Sequence, residues 1–208
     1  PVMTEPYRFV VLGTGGDFTF KVLQTLIKQN MRPVAYIQSG NKPQQDQSSF
    51  ADIKLEVNKP QNDLLQLLSS NNIPVFYGSE IELSHQIKSL KAEFLLVACW
   101  QKLLSNEVLN SVSKAALNLH PSLLPKYRGV DPIGEQLLAK DYNFGISLHL
   151  LNEHFDKGDI VLQKPLNIKT PYLRHGINNL SAETGAYLFI EALKLNSTTE
   201  WVLTKQKK

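Results

Sequence analysis

Residues 9–16 are Phe9-Val10-Val11-Leu12-Gly13-Thr14-Gly15-Gly16, a short run of β-favouring residues that ends in a glycine-rich turn. After this turn, residues 18–30 place apolar side chains at helical spacing, and residues 33–37 form a second apolar run. The order strand, glycine turn, helix and strand predicts a βαβ unit. The right-handed crossover of such a unit makes its two strands parallel.

The same alternation continues to the end of the chain. Together the patterns predict an α/β fold of the Rossmann-like kind, with a mostly parallel twisted sheet flanked by helices and a more irregular portion formed by the later strands. Residues 38–59 are polar and predict a loop. The remaining predicted strands are 74–77, 94–99, 115–120, 145–150 and 160–165. The remaining predicted helices are 62–71, 79–90, 105–112, 132–138 and 178–195, and the first of these is predicted to be capped at Asn62.

Composition and charge narrow the class of protein. We expect the 208 residues to form one domain, 1–208, because this length can bury a single core. The net charge of +3, from 22 basic and 19 acidic residues, is too small to imply a nucleic-acid partner. The single cysteine, Cys99, ends an apolar run and is predicted to be buried. No apolar stretch is long enough for a membrane span, so we expect no membrane partner and a cytoplasmic location.

Two polar residues interrupt the predicted strand 115–120. Asn118 and His120 are two residues apart, so both side chains point to the same face of the strand. An amide donor beside an imidazole suits the stabilisation of an oxyanion in acyl transfer. Spacing alone leaves a second interpretation open, namely a hydrogen-bonded strand end with a structural role.

The residues that follow carry a family resemblance. The stretch Asn118-Leu119-His120-Pro121-Ser122-Leu123-Leu124-Pro125-Lys126-Tyr127-Arg128-Gly129 closely resembles the signature of folate-dependent formyltransferases. Residues 152–160 resemble the second signature of that family, whose acidic residue falls here on Asp156. Residues 11–18 are similar to the start of methionyl-tRNA formyltransferases, and residues 98–105 to the pterin-pocket segment of glycinamide ribonucleotide formyltransferase.

The resemblance, which covers residues 8–195, implies the formyltransferase fold and an enzyme that moves a formyl group from 10-formyltetrahydrofolate to an amine. It carries over Asn118, His120 and Asp156 as the catalytic trio. Asn118 and His120 would stabilise negative charge on the formyl oxygen. Asp156 would raise the proton affinity of the imidazole and take the proton of the amine, directly or through water.

The resemblance also implies binding residues. The pterin of the folate would be held mainly by main-chain groups of two loops, at Gln101, Lys102, Leu104, Asn152 and Glu153. Residues expected to contact the acceptor are Gly15, Gly16 and Arg128.

Each acceptor-binding expectation has an alternative. The glycine turn is not a dinucleotide fingerprint, because the third spaced glycine would fall at Phe18, but it suits a tight turn without a ligand. Arg128 would either orient its loop or bind an anionic group of the substrate. His149 shares strand parity with Ser147, so it either lines a cleft or stands in solvent.

The sequence leaves the acceptor open between methionyl-tRNA and an amino sugar linked to a nucleotide, or another small amine. The modest charge does not support tRNA, and we expect no carboxy-terminal RNA-binding domain. Two other functions stay possible: hydrolysis of 10-formyltetrahydrofolate, which would use the same trio, and a non-catalytic folate-binding module. We expect no metal, because the histidines outside the signatures lack partners at metal-binding spacing. The oligomeric state is left open, and His154, Lys157 and Trp100 depart from the residues usual in the family.

Overall fold

The computed structural model describes residues 7–40, 59–78, 80–169, 171 and 173–206. Its centre is a seven-stranded sheet. The strands are β1 (Phe9–Gly13), β2 (Ala35–Gln38), β3 (Val75–Phe76), β4 (Phe94–Ala98), β5 (Ala115–His120), β6 (Gly145–Leu150) and β7 (Ile160–Pro165). The helices are α1 (Asp17–Lys28), α2 (Lys59–Ser70), α3 (Glu80–Ser89), α4 (Asn106–Leu109), α5 (Pro132–Leu138) and α6 (Arg174–Asn196).

The strand order is β3-β2-β1-β4-β5-β6-β7. The pairs among β1 to β5 are parallel, whereas β5 pairs with β6, and β6 with β7, in antiparallel orientation. The register of the β6–β7 pair shifts between Leu148 and His149. The predicted Rossmann-like sheet, with an irregular portion in its later strands, is therefore confirmed. Strand order reverses between β1 and β4, the kind of position where open α/β sheets bind ligands.

Helices cover both faces of the sheet. The larger apolar cluster contains Phe9 and Val11 of β1 together with residues of α1, α2 and α6. Val10 and Leu12 point the opposite way and pack with residues of α3 and α4. β1 is buried on both faces for this reason, as is typical of a central parallel strand. No helix in the described parts of the chain is long and apolar enough to cross a membrane.

The glycine turn after β1 allows a close approach between strand and helix. A side chain at Gly13 would overlap the side chain of Thr19 and lie 2.9 Å from the carbonyl oxygen of Ala98. Thr19 uses this proximity to donate a hydrogen bond of 2.7 Å to the same Ala98 oxygen. Gly15 has a φ of 80°, which favours glycine.

Several sequence predictions need correction. α2 begins at Lys59, so residue 62 lies inside the helix and is not its N-cap. α6 begins at Arg174, four residues before the predicted start, because its first residues, 174–176, are exposed and carry no apolar side chain that would mark a helix in the sequence. α4 is only one turn long and ends at Leu109. Most of the predicted loop 38–59, namely 41–58, and the predicted first residue of α3, residue 79, lie outside the described residues.

The prediction for Cys99 was also wrong. β4 ends at Ala98, and Cys99 adopts a left-handed backbone conformation with a φ of 71°. Its side chain is exposed, since the chain turns away from the sheet there. The apolar run therefore gives the right strand but extends one residue too far.

Candidate active site

Asn118 and His120 face the same side of β5, as their spacing predicts. Their neighbours Leu117 and Leu119 point to the opposite face and pack into the cluster with α1 and α6. Across the antiparallel pair, Asn118 stands opposite His149 and His120 opposite Ser147. The polar side chains of two strands therefore meet on one face of the sheet.

Asp156 reaches this face from the loop that joins β6 to β7. It has a φ of 51°, a left-handed conformation that aspartate tolerates better than most residues. Two residues later, a side chain at Gly158 would overlap the carbonyl oxygen of Leu150, so the chain passes too close to β6 for any other residue. The glycine of the second signature thus fixes the path of the loop that presents Asp156.

The three predicted catalytic residues lie together. The Nδ1 atom of His120 is 3.5 Å from Oδ1 of Asp156, and the Nδ2 atom of Asn118 is 3.4 Å from the same oxygen. His120 is 4% exposed and Asp156 is 8% exposed. Charges that develop in so dry a site interact more strongly than they would in water.

The hydrogen bonds of His120 determine its tautomer. Its Nε2 atom lies 2.6 Å from the carbonyl oxygen of Tyr127, which can only accept, so Nε2 carries the hydrogen. In the neutral ring the Nδ1 atom is then unprotonated and faces the Asp156 carboxylate. A proton that enters the site can bind at Nδ1 and be stabilised there by Asp156.

The pKa of His120 is lowered from its ordinary value of 6.5. Burial is the main cause, and it is only partly opposed by the Asp156 carboxylate and the Tyr127 carbonyl, which both favour the charged ring. The free site therefore holds a neutral imidazole at neutral pH.

The pKa of Asp156 is also below its ordinary value. Burial alone would raise this pKa, but the neighbouring His149 and His120 and the backbone N–H of Gly129 together outweigh it. The Gly129 N–H donates to Oδ2 at 2.9 Å. Asp156 is consequently an ionised acceptor next to a neutral imidazole.

The first signature folds back over the site through its backbone. Tyr127 supplies the carbonyl that holds His120, and Gly129 supplies the N–H that holds Asp156. Both have a left-handed backbone, with φ values of 54° and 119°. These contacts explain why signature residues after the strand matter even where their side chains do not reach the trio.

A polar cluster around the buried Ser147 fixes the start of that loop. The hydroxyl of Ser147 donates to the Ser122 carbonyl at 2.6 Å and accepts from the Leu124 N–H at 3.1 Å. Gln163 of β7 donates to the Ser147 hydroxyl at 2.8 Å and to the Leu124 carbonyl at 3.0 Å. Side chains of β6 and β7 thus fix the backbone of Ser122 and Leu124, where the loop begins.

His149 is a candidate site residue whose place the sequence alone left undecided. It is 1% exposed, so it does not stand in solvent. Its Nε2 atom lies 3.1 Å from Nδ2 of Asn118 and 3.5 Å from Oδ1 of Asp156. Strand parity with Ser147 was the available signal, but only the register of β5 against β6 shows that His149 meets Asn118.

Two cavities meet at Asn118 and Asp156. The larger, about 220 Å³, is lined by Asn118, His120 and Asp156. The smaller, about 40 Å³, shares Asn118 and Asp156 with it, together with Trp100 and Phe155. A group held at Asn118 and Asp156 is therefore accessible from two directions.

Four of the five predicted folate-binding residues line these cavities. Lys102, Leu104 and Asn152 line the smaller one, and Gln101 lines the larger one. Glu153 is exposed and lines neither. The family departures His154 and Trp100 lie in the wall of the smaller cavity.

The predicted acceptor-binding residues are farther from the trio. Among the described residues that line the two cavities are Phe18 and Gly129, but not Gly15, Gly16 or Arg128. Nε and Nη2 of Arg128 donate to the side chain of Gln206, at 3.1 and 2.8 Å. Substrate binding by these three residues stays a prediction.

The other wall of the larger cavity is charged. Arg174, at the start of α6, donates to both oxygens of Asp131, at 2.6 and 3.1 Å. Asp131 also caps α5 by accepting from the Gly134 N–H. Within the described ranges, no group of three His, Cys, Asp or Glu side chains has an arrangement that could hold a metal ion.

Comparison with known proteins agrees with this geometry. The family model described as "Formyl transferase" matches residues 7–193. A methionyl-tRNA formyltransferase of Helicobacter acinonychis is 34% identical over 198 residues, covering 90% of this chain and 60% of the relative. That of Carboxydothermus hydrogenoformans is 41% identical over 113 residues, covering 54% of this chain and 37% of the relative. The chain thus spans about 60% or less of the length of these curated relatives.

Solved structures share the fold. A phosphoribosylglycinamide formyltransferase of Bacillus halodurans superposes with a TM-score of 0.69 at 20% identity, covering 93% of this chain and 97% of the other. A sugar N-formyltransferase of a Shewanella species gives a TM-score of 0.64 at 20% identity, covering 97% of this chain and 74% of the other. With a family match over nearly the whole chain and the same fold, this chain belongs to the formyl transferase family.

Proposed function

We propose that this chain transfers a formyl group from 10-formyltetrahydrofolate to an amine. The observation that carries the proposal is the convergence of Asn118, His120 and Asp156 on one cavity, with the His120 Nδ1 atom 3.5 Å from the Asp156 carboxylate. An amide donor, an imidazole and a carboxylate at one point supply both oxyanion stabilisation and proton transfer.

The smaller cavity suits the aromatic end of the folate. Its wall is mainly apolar, with Val97, Leu104, Leu109 and Leu151. At about 40 Å³ this cavity must widen to hold a fused ring system. Exposed side chains in its wall, such as Lys102, would turn outward on binding to make that room. Main-chain groups at 101–104 and 152–156 would then hold the polar edge of the ring.

The larger cavity suits the acceptor. Asp131, Arg174 and Asn178 give this wall polar and charged groups. The two substrates would approach the trio from different cavities, which places the formyl carbon between the folate nitrogen and the incoming amine.

The residues present account for each step of the transfer. The amine nitrogen bonds to the formyl carbon, and the oxygen gains negative charge, which an Asn118 N–H stabilises. Asp156 accepts the proton lost by the amine, and His120 Nδ1 can share it. The bond between the formyl carbon and the folate nitrogen then breaks, and that nitrogen receives the proton.

The acceptor to test first is methionyl-tRNA, because the relatives with the greatest sequence identity quoted above are methionyl-tRNA formyltransferases. The sugar N-formyltransferase shares the fold at lower identity, so a nucleotide-linked amino sugar is the second acceptor to test. The net charge of +3 makes a high affinity of this chain for tRNA through charge alone unexpected. A cytoplasmic location stays a prediction.

The experiment is a calorimetric titration with a stable analogue of 10-formyltetrahydrofolate, followed in the same sample by each acceptor. We expect the analogue to bind, and one acceptor to bind tighter once it is present. The same sample is then given 10-formyltetrahydrofolate itself: hydrolysis without transfer would favour the hydrolase, and no reaction at all would favour a non-catalytic module. No binding of the analogue would contradict the proposal.

A further inference from the structure

The segment after α6 runs back along the molecule to the site. The indole N–H of Trp201 donates to the Ala192 carbonyl at 2.8 Å, which anchors the segment on α6. Thr204 then pairs with Ile160, the first residue of β7, through two backbone hydrogen bonds of 2.9 Å. These two anchors bring Gln206 beside the loop that carries Asp156.

The side-chain amide of Gln206 joins the two signature loops. Its Oε1 atom accepts from Nε and Nη2 of Arg128, at 3.1 and 2.8 Å. Its Nε2 atom donates to the carbonyl oxygens of Asp156 and Gly158, at 2.9 and 2.7 Å. All four hydrogen-bonding positions of the amide are therefore in use.

The partners leave only one orientation for this amide. A guanidinium can only donate and a carbonyl can only accept, so Oε1 must face Arg128 and Nε2 must face the Asp156 loop. A glutamate at this position would still accept from Arg128. It would place an oxygen against two carbonyl oxygens, however, and could not hold the Asp156 loop.

We propose that Gln206 is a positioning residue that fixes the backbone of Asp156 against the Arg128 loop and so sets the distance between the Asp156 carboxylate and His120. Gly129, next to Arg128, donates to the same carboxylate at 2.9 Å. The loop that contains Arg128 thus contacts Asp156 in two ways. The Gly129 N–H binds the Asp156 carboxylate directly, and Gln206 links the Asp156 backbone to the Arg128 side chain.

The effect on the site follows from the geometry. The Asp156 carboxylate, 3.5 Å from His120, favours the protonated ring. A Gln206 variant that frees the Asp156 loop should let the carboxylate move away, and the imidazole should then titrate at lower pH. A general loss of stability without a change at the site would leave this titration unchanged.

The first test is NMR titration of the His120 ring in the full chain, which needs no substrate and so does not depend on the proposed reaction. The variants are Gln206→Ala, Gln206→Glu and the control Gln66→Ala, an exposed glutamine on α2. We expect His120 to titrate at lower pH in Gln206→Ala and at the wild-type pH in the control. A titration in Gln206→Ala that matches the wild type would overturn the proposal, since that variant loses every contact of the amide. In Gln206→Glu the added negative charge opposes the downward shift, so that variant is judged by the kinetic test below.

The second test is kinetic and rests on the proposed function. With the acceptor on which the wild type is active, we expect kcat to fall about tenfold to a hundredfold in both Gln206 variants, with little change in KM for the folate. A wild-type kcat in either variant would overturn the positioning role. If the wild type transfers no formyl group, the proposed function fails and the NMR titration still decides the role of Gln206.

Discussion

The Nε2 atom of His149 lies 3.1 Å from the Nδ2 atom of Asn118, across the antiparallel pair of β5 and β6. The Nδ1 atom of His149 is 2.9 Å from the Leu150 carbonyl oxygen, so Nδ1 carries the hydrogen and Nε2 accepts. Asn118 must therefore present its NH2 group to His149. The second N–H of that group donates a long hydrogen bond of 3.4 Å to Oδ1 of Asp156, and a formyl oxygen bound beside Asp156 can share it.

We expect His149→Leu to lower kcat about tenfold to a hundredfold, because the Asn118 amide loses the acceptor that orients it. His149→Gln, whose Oε1 atom can still accept, should lie between the wild type and His149→Leu. Steady-state kinetics of the three proteins give this order. Equal rates for the two variants would contradict an orienting role.

The part played by His149 shows what the sequence could and could not predict. Periodicity along one strand placed Asn118 and His120 on one face, and the family signature added Asp156. The meeting of His149 with Asn118 depends on the register of β5 against β6, which no local pattern specifies. Likewise, Gln206 reaches the site only because Thr204 pairs with Ile160, 44 residues earlier in the chain.

Errors at the ends of elements have a related cause. Apolar runs and helical spacing predicted every strand of the sheet, and the helices that flank it, in the observed order. Cys99 continues the apolar run, yet the backbone leaves β4 after Ala98 because the chain turns there toward the cavity that Cys99 lines. The residue at which a strand ends depends on tertiary contacts, so the apolar run alone does not predict it.

Asp156→Asn should lower kcat by about a hundredfold to ten-thousandfold, because the amide cannot accept the proton of the amine. The variant keeps the size of the side chain and an oxygen for the Gly129 N–H, so folding should be preserved. Single-turnover formyl transfer measures the effect. Asp63→Asn, an exposed carboxylate on α2, is the matched control, and an equal loss in both proteins would argue against a catalytic role for Asp156.

Stability should depend on pH through His120. Its folded pKa is lower than its ordinary 6.5, so between these two values the unfolded chain binds more protons than the folded chain. The stability due to the neutral ring is then fully present above pH 6.5 and is lost as the pH falls through the folded pKa. The stability due to Asp156, whose pKa is lowered from 3.8, is fully present above about pH 3.8 and is lost only as the pH falls through its folded pKa.

Urea denaturation at pH 7.5 and pH 5 measures this dependence. We expect the difference in unfolding free energy between the wild type and His120→Asn to be larger at about pH 7.5 than at about pH 5. A difference that grows toward acid would mean that the folded pKa of His120 is raised.

Gly158→Ala should destabilise the fold by about 1–3 kcal/mol, because the added methyl group overlaps the Leu150 carbonyl and the loop must move. Gly176→Ala is the matched control, since a methyl group at this exposed position of α6 meets nothing within 4 Å. We expect the control to be neutral or slightly stabilising, by less than about 1 kcal/mol. Thermal denaturation of both variants measures the contrast, which disappears if the loop around Gly158 is free to shift.

The measurement that tests the proposed function most directly is transfer of an isotopically labelled formyl group from 10-formyltetrahydrofolate, followed by mass spectrometry of the acceptor. Methionyl-tRNA and nucleotide-linked amino sugars serve as acceptors, with the wild type and the double variant His120→Ala/Asp156→Ala compared side by side. The proposed mechanism predicts a labelled formyl group on the amine of one acceptor with the wild type, and none above background with the folded double variant. Labelled acceptor at the wild-type rate from the double variant, or labelled formate alone from the wild type, would contradict it.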